Sequence, residues 1–546
     1  VIQAAIAADL GDILMADLNG ASTLADRPVA KFGPIFLLAG AMTVVLTDAV
    51  AGTALSMARL DIMGGTHASA DELAKLDYGY TAAKLVAFVL TPWLAGAFTL
   101  YRSVMIAAIA MTAACYGAAY AEDINLMFAL RLLQGFSGGV LLVGTQALLF
   151  RVFPPRQQPL VQAFYAIGSV VAPATLAPYM QGWLIDQVYW SLIFLCSVPF
   201  GIVGIALLAM SPQAEDVASL RVKFDPFGLA LFATAAFTLT FVLNQGNRWD
   251  WFNDQAIVIA TTVGLTALAL QILRQIYSPS SATLFNFKLF RNGNFDFGVA
   301  ASLAAGFALL GSSYAIPSFA VSVLKMTPTA AGTLLLPSTL FFVGSLFLTA
   351  FIIQKLKLPG IVTVPFGILG LMLAMWLLSG SSSGSGIPDM TPAILIRGAA
   401  LGFLFLSITL VTMMSLDKSV LIFGIALFNI GRQMGGLAGI SFLQTFIEDQ
   451  TAYNRAVLAS HIMPGRQEVI ERIGALARLL TNHGMEAGLA MRSAGSLIGK
   501  QVALQSTTIA FDTAFFAITL FFFGAAPCLV LWKIVLGRIL PPQQAK

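Results

Sequence analysis

The sequence predicts an all-α polytopic membrane protein with fourteen transmembrane helices, and three observations predict it. First, 58% of the 546 residues are hydrophobic and only 10% are charged, against roughly 25% charged in a soluble domain. So apolar a chain takes lipid as its solvent. Second, the apolar residues gather into fourteen runs, each long enough for the about 20 helical residues that a hydrocarbon core requires. Third, stretches such as GIVGIALLAM (201–210) and LFFFGAAPCLVLW (520–532) are apolar all round. They lack the period-two alternation of barrel strands, so each span satisfies its own backbone as a helix.

The runs place spans near 34–58, 80–101, 103–121, 126–150, 159–183, 188–210, 226–246 and 254–277, then 295–323, 329–354, 359–379, 392–415, 420–447 and 509–536. An even number puts both termini on one side. If that side is cytoplasmic, it collects 16 Lys and Arg residues, against 4 (Arg59, Lys75, Arg248 and Lys325) in the short outside loops. The bias supports termini inside. The stretch from Val1 to Lys31 carries Asp9, Asp12, Asp17 and Asp26 without a basic n-region, so it reads as a cytoplasmic arm and not a cleaved signal. The net charge of +4 is too small to argue for nucleic acid. Cys115, Cys196 and Cys528 fall in apolar runs, where they act as small hydrophobes; no disulfide, structural metal or cofactor is expected.

Connections are short, apart from the polar outside loop 59–79, the flexible SGSSSGSGIPD at 379–389, and a long outside segment at 448–508. That last segment is expected to prolong span 13 as a helix and to return through a second helix near Arg466 to Leu480. The spacing of Val469, Ile470, Ile473, Leu476, Ala477 and Leu480 gives that helix one apolar face. The face is covered either by the segment's own first arm, Tyr453 to Leu458, or by a partner. An internal repeat relates spans 1–6 to spans 9–14. Arg131 and Gly135 of span 4 answer Arg397 and Gly402 of span 12, and YAIG (165–168) answers FNIG (428–431). The organisation is therefore 6+2+6: an arm at 1–33, a six-helix half at 34–210, two inserted helices with flanking loops at 211–290, and a second half at 291–546.

Charges inside spans are costly and mark pathways. Here they are Asp48, Lys84, Arg131, Arg397 and Arg432, with Asp48 the single deep carboxylate. Burial and a neighbouring cation act oppositely on a carboxyl group's proton affinity, so Asp48, with Lys84 and Arg131, is a candidate proton-coupling group. The alternative is a permanently ionised Asp48 that only ties helices together. One acid against four bases favours an anionic or weakly acidic substrate, unless Lys84, Arg131 and Arg397 snorkel to the interface. Gln134, Gln162, Arg397, Asn429, Arg432 and Gln433 are candidate substrate contacts; amides also serve as interhelical hydrogen bonds. In span 5, Pro173, Pro178 and Gly182 crowd into SVVAPATLAPYMQG, where two prolines remove backbone donors and bend the helix.

The ordered set RLLQG (131–135), FPPRQQ (153–158), VAPATLAPYMQGWLID (171–186), VPFGI (198–202), DPFGL (225–229), WDWF (249–252), LFNFKLFRNGNF (284–295) and NIGRQMGG (429–436) resembles the EmrB/QacA type of fourteen-span drug:proton antiporter in the major facilitator superfamily. The long last outside loop is most like the EmrB branch. The resemblance implies the major facilitator fold and a proton-driven multidrug efflux transporter of the bacterial inner membrane, working by alternating access and conferring antibiotic resistance. In it Asp48 matches the span-1 acid, Arg131 the span-4 arginine, and Pro173, Pro178 and Gly182 the span-5 antiporter motif, written AP-x-x-QG for GP-x-x-GG. The loop between spans 2 and 3 survives as PWLAGAFTLYR (92–102) without its acid, with Arg102 its main remnant. Expected partners are small amphipathic substrates, protons, the lipid bilayer, a periplasmic adaptor (membrane fusion protein) and an outer-membrane channel. A lipid-modifying membrane enzyme is one alternative, although His67, His461 and His483 lie in loops without triad or metal spacing. A non-transporting scaffold presenting 448–508 is the other.

Overall fold

The computed structural model describes residues 28–211, 223–277, 284–285, 287–462 and 466–539. The expected arm at 1–33 lies outside the described residues as far as residue 27, as do parts of the connections within 211–290. Among the described residues the chain is all helix. Fourteen helices are long and apolar enough to cross a membrane, in the expected order. Spans 1 to 7 are Gly33–Gly52, Ala70–Phe98, Leu100–Ala119, Ile124–Val152, Gln158–Gln187, Leu192–Ala209 and Pro226–Gln245. Spans 8 to 14 are Gln255–Tyr277, Gly293–Ser322, Pro328–Gln354, Gly360–Leu378, Ile387–Met413, Leu421–Ser460 and Ala487–Lys533. Odd-numbered spans begin at one end of the bundle, the terminal end; even-numbered spans begin at the far end.

Spans 1–6 pack on one another, and so do spans 9–14. The two groups meet along span 5 against span 10 and along span 2 against span 13. Span 7 lies along span 2 and touches span 13, while span 8 packs on span 7. Asp225 sets the start of span 7: its carboxylate accepts from Gly228 N at 3.0 Å, Pro226 follows as the first helical residue, and Arg274 of span 8 pairs with the same carboxylate.

Helix begins earlier at span 2 than the hydropathy predicts. The expected loop 59–79 is largely two helices, Ala54–Thr66 and the first turns of span 2. Ser69 and Glu72 form a reciprocal capping box, the sequence signature that starts a helix despite its charges. The apolar sides of these turns, Leu55, Ile62, Leu73 and Leu76, bury against Met127, Trp190 and Phe194. Span 5 accommodates Pro173 within a ten-residue π-helical stretch, Ile167–Leu176, a wider turn in which the lost donor is tolerated.

The 448–508 segment is helical almost throughout. Span 13 runs on to Ser460, a helix Gln467–Asn482 follows, and one 53-residue helix, Ala487–Ile539, returns into the membrane. The apolar face of the middle helix, with Ile473, Leu476, Ala477 and Leu480, is covered by Met485, Ala490 and Ala494. The expected cover, Tyr453 to Leu458, does not provide it: Tyr453 is 65% exposed. The small Ala490 and Ala494 of the return arm allow closer helix approach than Tyr453 would.

Spans 2 and 3 are joined by one residue, Thr99, at φ 78° and ψ 147°, a region that glycine alone adopts without strain. Its hydroxyl caps the next helix by accepting from Arg102 N at 3.3 Å. Relief of strain, about 1–3 kcal/mol, exceeds the few tenths lost when a cap becomes glycine. Thr99→Gly is therefore expected to raise the unfolding midpoint of the purified protein; a lowered midpoint would show that the hydroxyl matters more than the strain.

Candidate functional site

The face of span 4 formed by Arg131, Gln134, Gly135 and Gly138 follows i, i+3, i+4, i+7 spacing, so these residues line one side of the helix. Opposite them, span 1 presents Asp48 and span 2 presents Tyr80 and Lys84, one turn apart. The Asp48 carboxylate, 2% exposed, accepts from Lys84 Nζ at 2.6 Å on Oδ2 and from the Tyr80 hydroxyl at 2.5 Å on Oδ1. Gly138 makes the room, because a Cβ there would overlap the carboxylate. Arg131, fully buried, does not touch Asp48. Its Nη1 donates to Ala51 O at 2.8 Å and to Gln134 Oε1 at 2.9 Å, and its guanidinium lies 4.2 Å from the Tyr80 ring centroid, a cation–π contact that counts for more away from water. Gln134 Nε2 in turn donates to Ala114 O at 3.1 Å. Asp48, Tyr80, Lys84, Arg131 and Gln134 thus form one chain of contacts in the first helix group.

A second cluster lies where the helix groups meet. Gln146 of span 4 donates to Gln162 of span 5 at 3.2 Å, and Gln162 to Gln158 at 3.3 Å. Asn429 of span 13 reaches Gln146 Oε1 at 3.5 Å and accepts from Arg432 Nη2 at 2.6 Å. Gln146, Gln162, Tyr165, Thr409 and Arg432 border a void of about 20 Å³, room for roughly one water molecule. The void is lined by no carboxylate, and Arg432 lies close enough to Asp48 to feel its charge.

The groups are joined by polar contacts at the far end and by a ring contact toward the terminal end. At the far end, Asp186 of span 5 accepts from Thr329 N of span 10 at 2.9 Å and also from the Thr329 hydroxyl. Span 5 can come so near because Gly182 bears no side chain: a Cβ there would sit 2.7 Å from Pro328 O. The turn between spans 7 and 8 crosses the other seam. Its Arg248 pairs with Asp71 of span 2 at 2.8 Å, and its Trp251 donates to Thr445 of span 13 at 3.1 Å. Toward the terminal end, Phe164 of span 5 meets Phe347 of span 10 with ring centroids 5.0 Å apart.

The structure brings Asp48, Lys84 and Arg131 together with one intermediary, Tyr80. It brings Gln162, Asn429 and Arg432 together at the void, while Gln433, half-buried, does not line it. Gln134 serves Arg131 instead of the void. Arg397 stands apart, donating to Ser312 and Ser313 of span 9 at 2.7 and 2.6 Å. Lys84, Arg131 and Arg397 are all buried and bonded inward, which corrects the snorkelling alternative. The four bases also shrink to one as far as the void is concerned, Arg432. Pro178 and Gly182 lie at the seam with span 10, where Gly332 lies against Pro178 and Tyr179, while Pro173 sits within the π-helical stretch of span 5. Sequence reasoning missed Tyr80, although its i−4 spacing from Lys84 was visible. It also missed Asp77, placed in span 2 close enough to Arg131 to interact electrostatically.

Asp48→Asn would strand the buried Lys84 charge, a loss of about 3–5 kcal/mol for a broken buried pair. The double change Asp48→Asn with Lys84→Met is expected to recover most of that loss in detergent melts. Additive destabilisation in this double-mutant cycle would show that the two are not coupled.

The profile of the Major Facilitator Superfamily matches residues 37–440. The Multidrug export protein EmrB of Escherichia coli (strain K12) is 24% identical over 487 residues, covering 88% of this chain and 93% of its own. The Multidrug export protein EmrB of Haemophilus influenzae is 23% identical over 510 residues, covering 92% and 96%. The Fatty acid resistance protein FarB of Neisseria gonorrhoeae is 24% identical over 436 residues, covering 79% and 85%. Among solved structures, a proton:xylose symporter superposes with TM-score 0.51 at 12% identity, covering 90% of this chain and 94% of its own. A peptide transporter gives 0.54 at 13%, covering 92% and 95%. At these identities the structures speak to the fold alone, which is the all-helical major facilitator fold. A profile spanning most of the length, on a bundle of this architecture, settles the family: the chain belongs to the Major Facilitator Superfamily.

Proposed function

We propose that the protein is a proton-driven efflux transporter that exports lipophilic, weakly acidic amphipathic compounds by alternating access. The observation that carries this reading is the buried Asp48–Lys84 pair, linked through Tyr80 to Arg131, within charge range of Arg432 at the void between the helix groups. A transporter family leaves no place for the enzyme reading. In the conformation described, Lys84 Nζ contacts the Asp48 carboxylate at 2.6 Å. A proton arriving on Asp48 would neutralise the carboxylate and free the Lys84 ammonium, changing the charge that Arg432 faces. A neutral Asp48 strengthens the attraction of Arg432 for an anion, so export against proton entry requires that the proton and the anion be carried in opposite conformations.

On this reading the halves are 34–210 and 291–546, the pair inserted at 211–290 braces the far-end seam, and both termini lie in the cytoplasm of a bacterium, with the transporter in its inner membrane. The far-end seam then faces the periplasm. The hairpin at 448–508 reaches into it as a docking arm for a periplasmic adaptor that connects to an outer-membrane channel. The names of the similar proteins, a multidrug exporter and a fatty acid resistance protein, support amphipathic cargo, and the carboxylate-free void supports acids over permanent cations.

Proteoliposomes with an imposed pH gradient test the coupling. The Asp48→Asn/Lys84→Met protein is expected to lose uphill movement of a lipophilic carboxylic acid while keeping downhill exchange; uphill transport by that variant would remove Asp48 from coupling. Arg432→Gln should raise the KM for the acid by about 10-fold, in line with loss of a charged hydrogen bond, and leave quaternary ammonium compounds unaffected. Stronger competition by the ammonium compounds in the unaltered protein would overturn the acid preference. Replacing 461–486 with a short flexible linker should spare transport in proteoliposomes and abolish resistance in cells, whereas loss of both would make the hairpin part of the transport unit.

A further inference from the structure

A second hollow lies apart from the central void. It is a groove of about 460 Å³, in the size range of small-molecule sites, walled by spans 9, 11, 12 and 14 and by no residue of spans 1–8. It therefore lies on the back of the second helix group, away from the seams with the first. Its origin is legible in the sequence. Ala301, Ala304 and Ala305 recur at i, i+3 and i+4 on span 9, and Ala526 faces them from span 14, so neither helix supplies bulk to fill the gap. The rim is open to lipid: Leu369 is 62% and Phe523 is 69% exposed.

Every lining residue is apolar except Lys533. Its Nζ lies 5.0 Å from the Phe297 ring centroid, and among the described residues no carboxylate is within ion-pair distance of it. The lining comes from the terminal-end portions of the four spans, and Lys533 stands at the last turns of span 14, where the bilayer gives way to headgroups.

We propose that this groove binds an acidic phospholipid of the leaflet at the terminal end, with one acyl chain between spans 9 and 14 and its phosphate on Lys533. An apolar trough open to the hydrocarbon is filled by what surrounds it, which is acyl chain. The cation at its mouth, without an ion-pair partner among the described residues, selects among lipids by headgroup charge, since a basic residue at the membrane surface favours anionic lipid by about fivefold per Lys. A long-chain carboxylic acid shares the chain-plus-anion chemistry, but it lacks the second chain that would hold the headgroup at the depth of Lys533. The proposal is independent of the transport reading, which supplies only the name of the leaflet, the cytoplasmic one.

Native mass spectrometry of the full-length protein in mild detergent tests it, with dioleoylphosphatidylglycerol, dioleoylphosphatidylethanolamine and palmitate as probes. The unaltered protein should retain phosphatidylglycerol about fivefold more than phosphatidylethanolamine. Lys533→Gln should bring the two to parity, and Lys533→Arg should keep the preference. Ala304→Phe should reduce retention of both lipids. Equal retention by the unaltered protein, or a preference that survives Lys533→Gln, would overturn the site. Palmitate retained in preference to phosphatidylglycerol and lost in Lys533→Gln would overturn the lipid assignment in favour of a free acid.

Discussion

The structure depends on one constraint: inside the bilayer little water reaches a charge, so the protein's own groups must meet most of the cost of burying it. Asp48 and Lys84 answer each other, Tyr80 takes the remaining carboxylate oxygen, and Arg131 is spread over a carbonyl, an amide and an aromatic face. Gly138 follows from that arrangement, since the carboxylate occupies the space a side chain would take. Pairing of this kind adds little net stability over an apolar core of the same shape. What it supplies is a carboxylate and an ammonium brought together at one buried point, which the proposed coupling needs.

The arginines show how much the internal repeat predicts and where it stops. Arg131 and Arg397 occupy matching places in spans 4 and 12, and both are fully buried. Arg131 joins the acidic centre, whereas Arg397 is held by two serines of span 9 with no acid beside it. Only the first helix group carries the titratable pair, and only the second brings a cation, Arg432, to the void. The asymmetry places one ionisable element on each side of the boundary between the two groups.

Hydropathy made the fourteen spans, their order and the helical hairpin legible, because lipid enforces helices wherever the chain is apolar for long enough. It failed where helix continues outside that rule. The turns at 70–79 carry Asp71, Glu72, Lys75 and Asp77, which mask a capping box and an apolar face that only tertiary packing uses. Asp48, Lys84 and Arg131 were legible as a group because charges in spans are rare. Tyr80 was not, since a tyrosine in an apolar run looks like any other aromatic. Gln134 could not be assigned to Arg131 rather than to a ligand, because an amide's role depends on a neighbour helix whose rotation the sequence does not state.

The final helix, Ala487–Ile539, is 53 residues of unbroken helix, about 80 Å at the rise of an α-helix. Its upper part carries the hairpin's covering face, its middle packs on spans 9, 11 and 13, and its lower part walls the apolar groove. No loop along that length absorbs displacement. A force applied to the hairpin tip outside the bilayer therefore arrives among the helices of the second group as a tilt of one rod, with Pro527 the single position where its hydrogen-bond ladder is weakened.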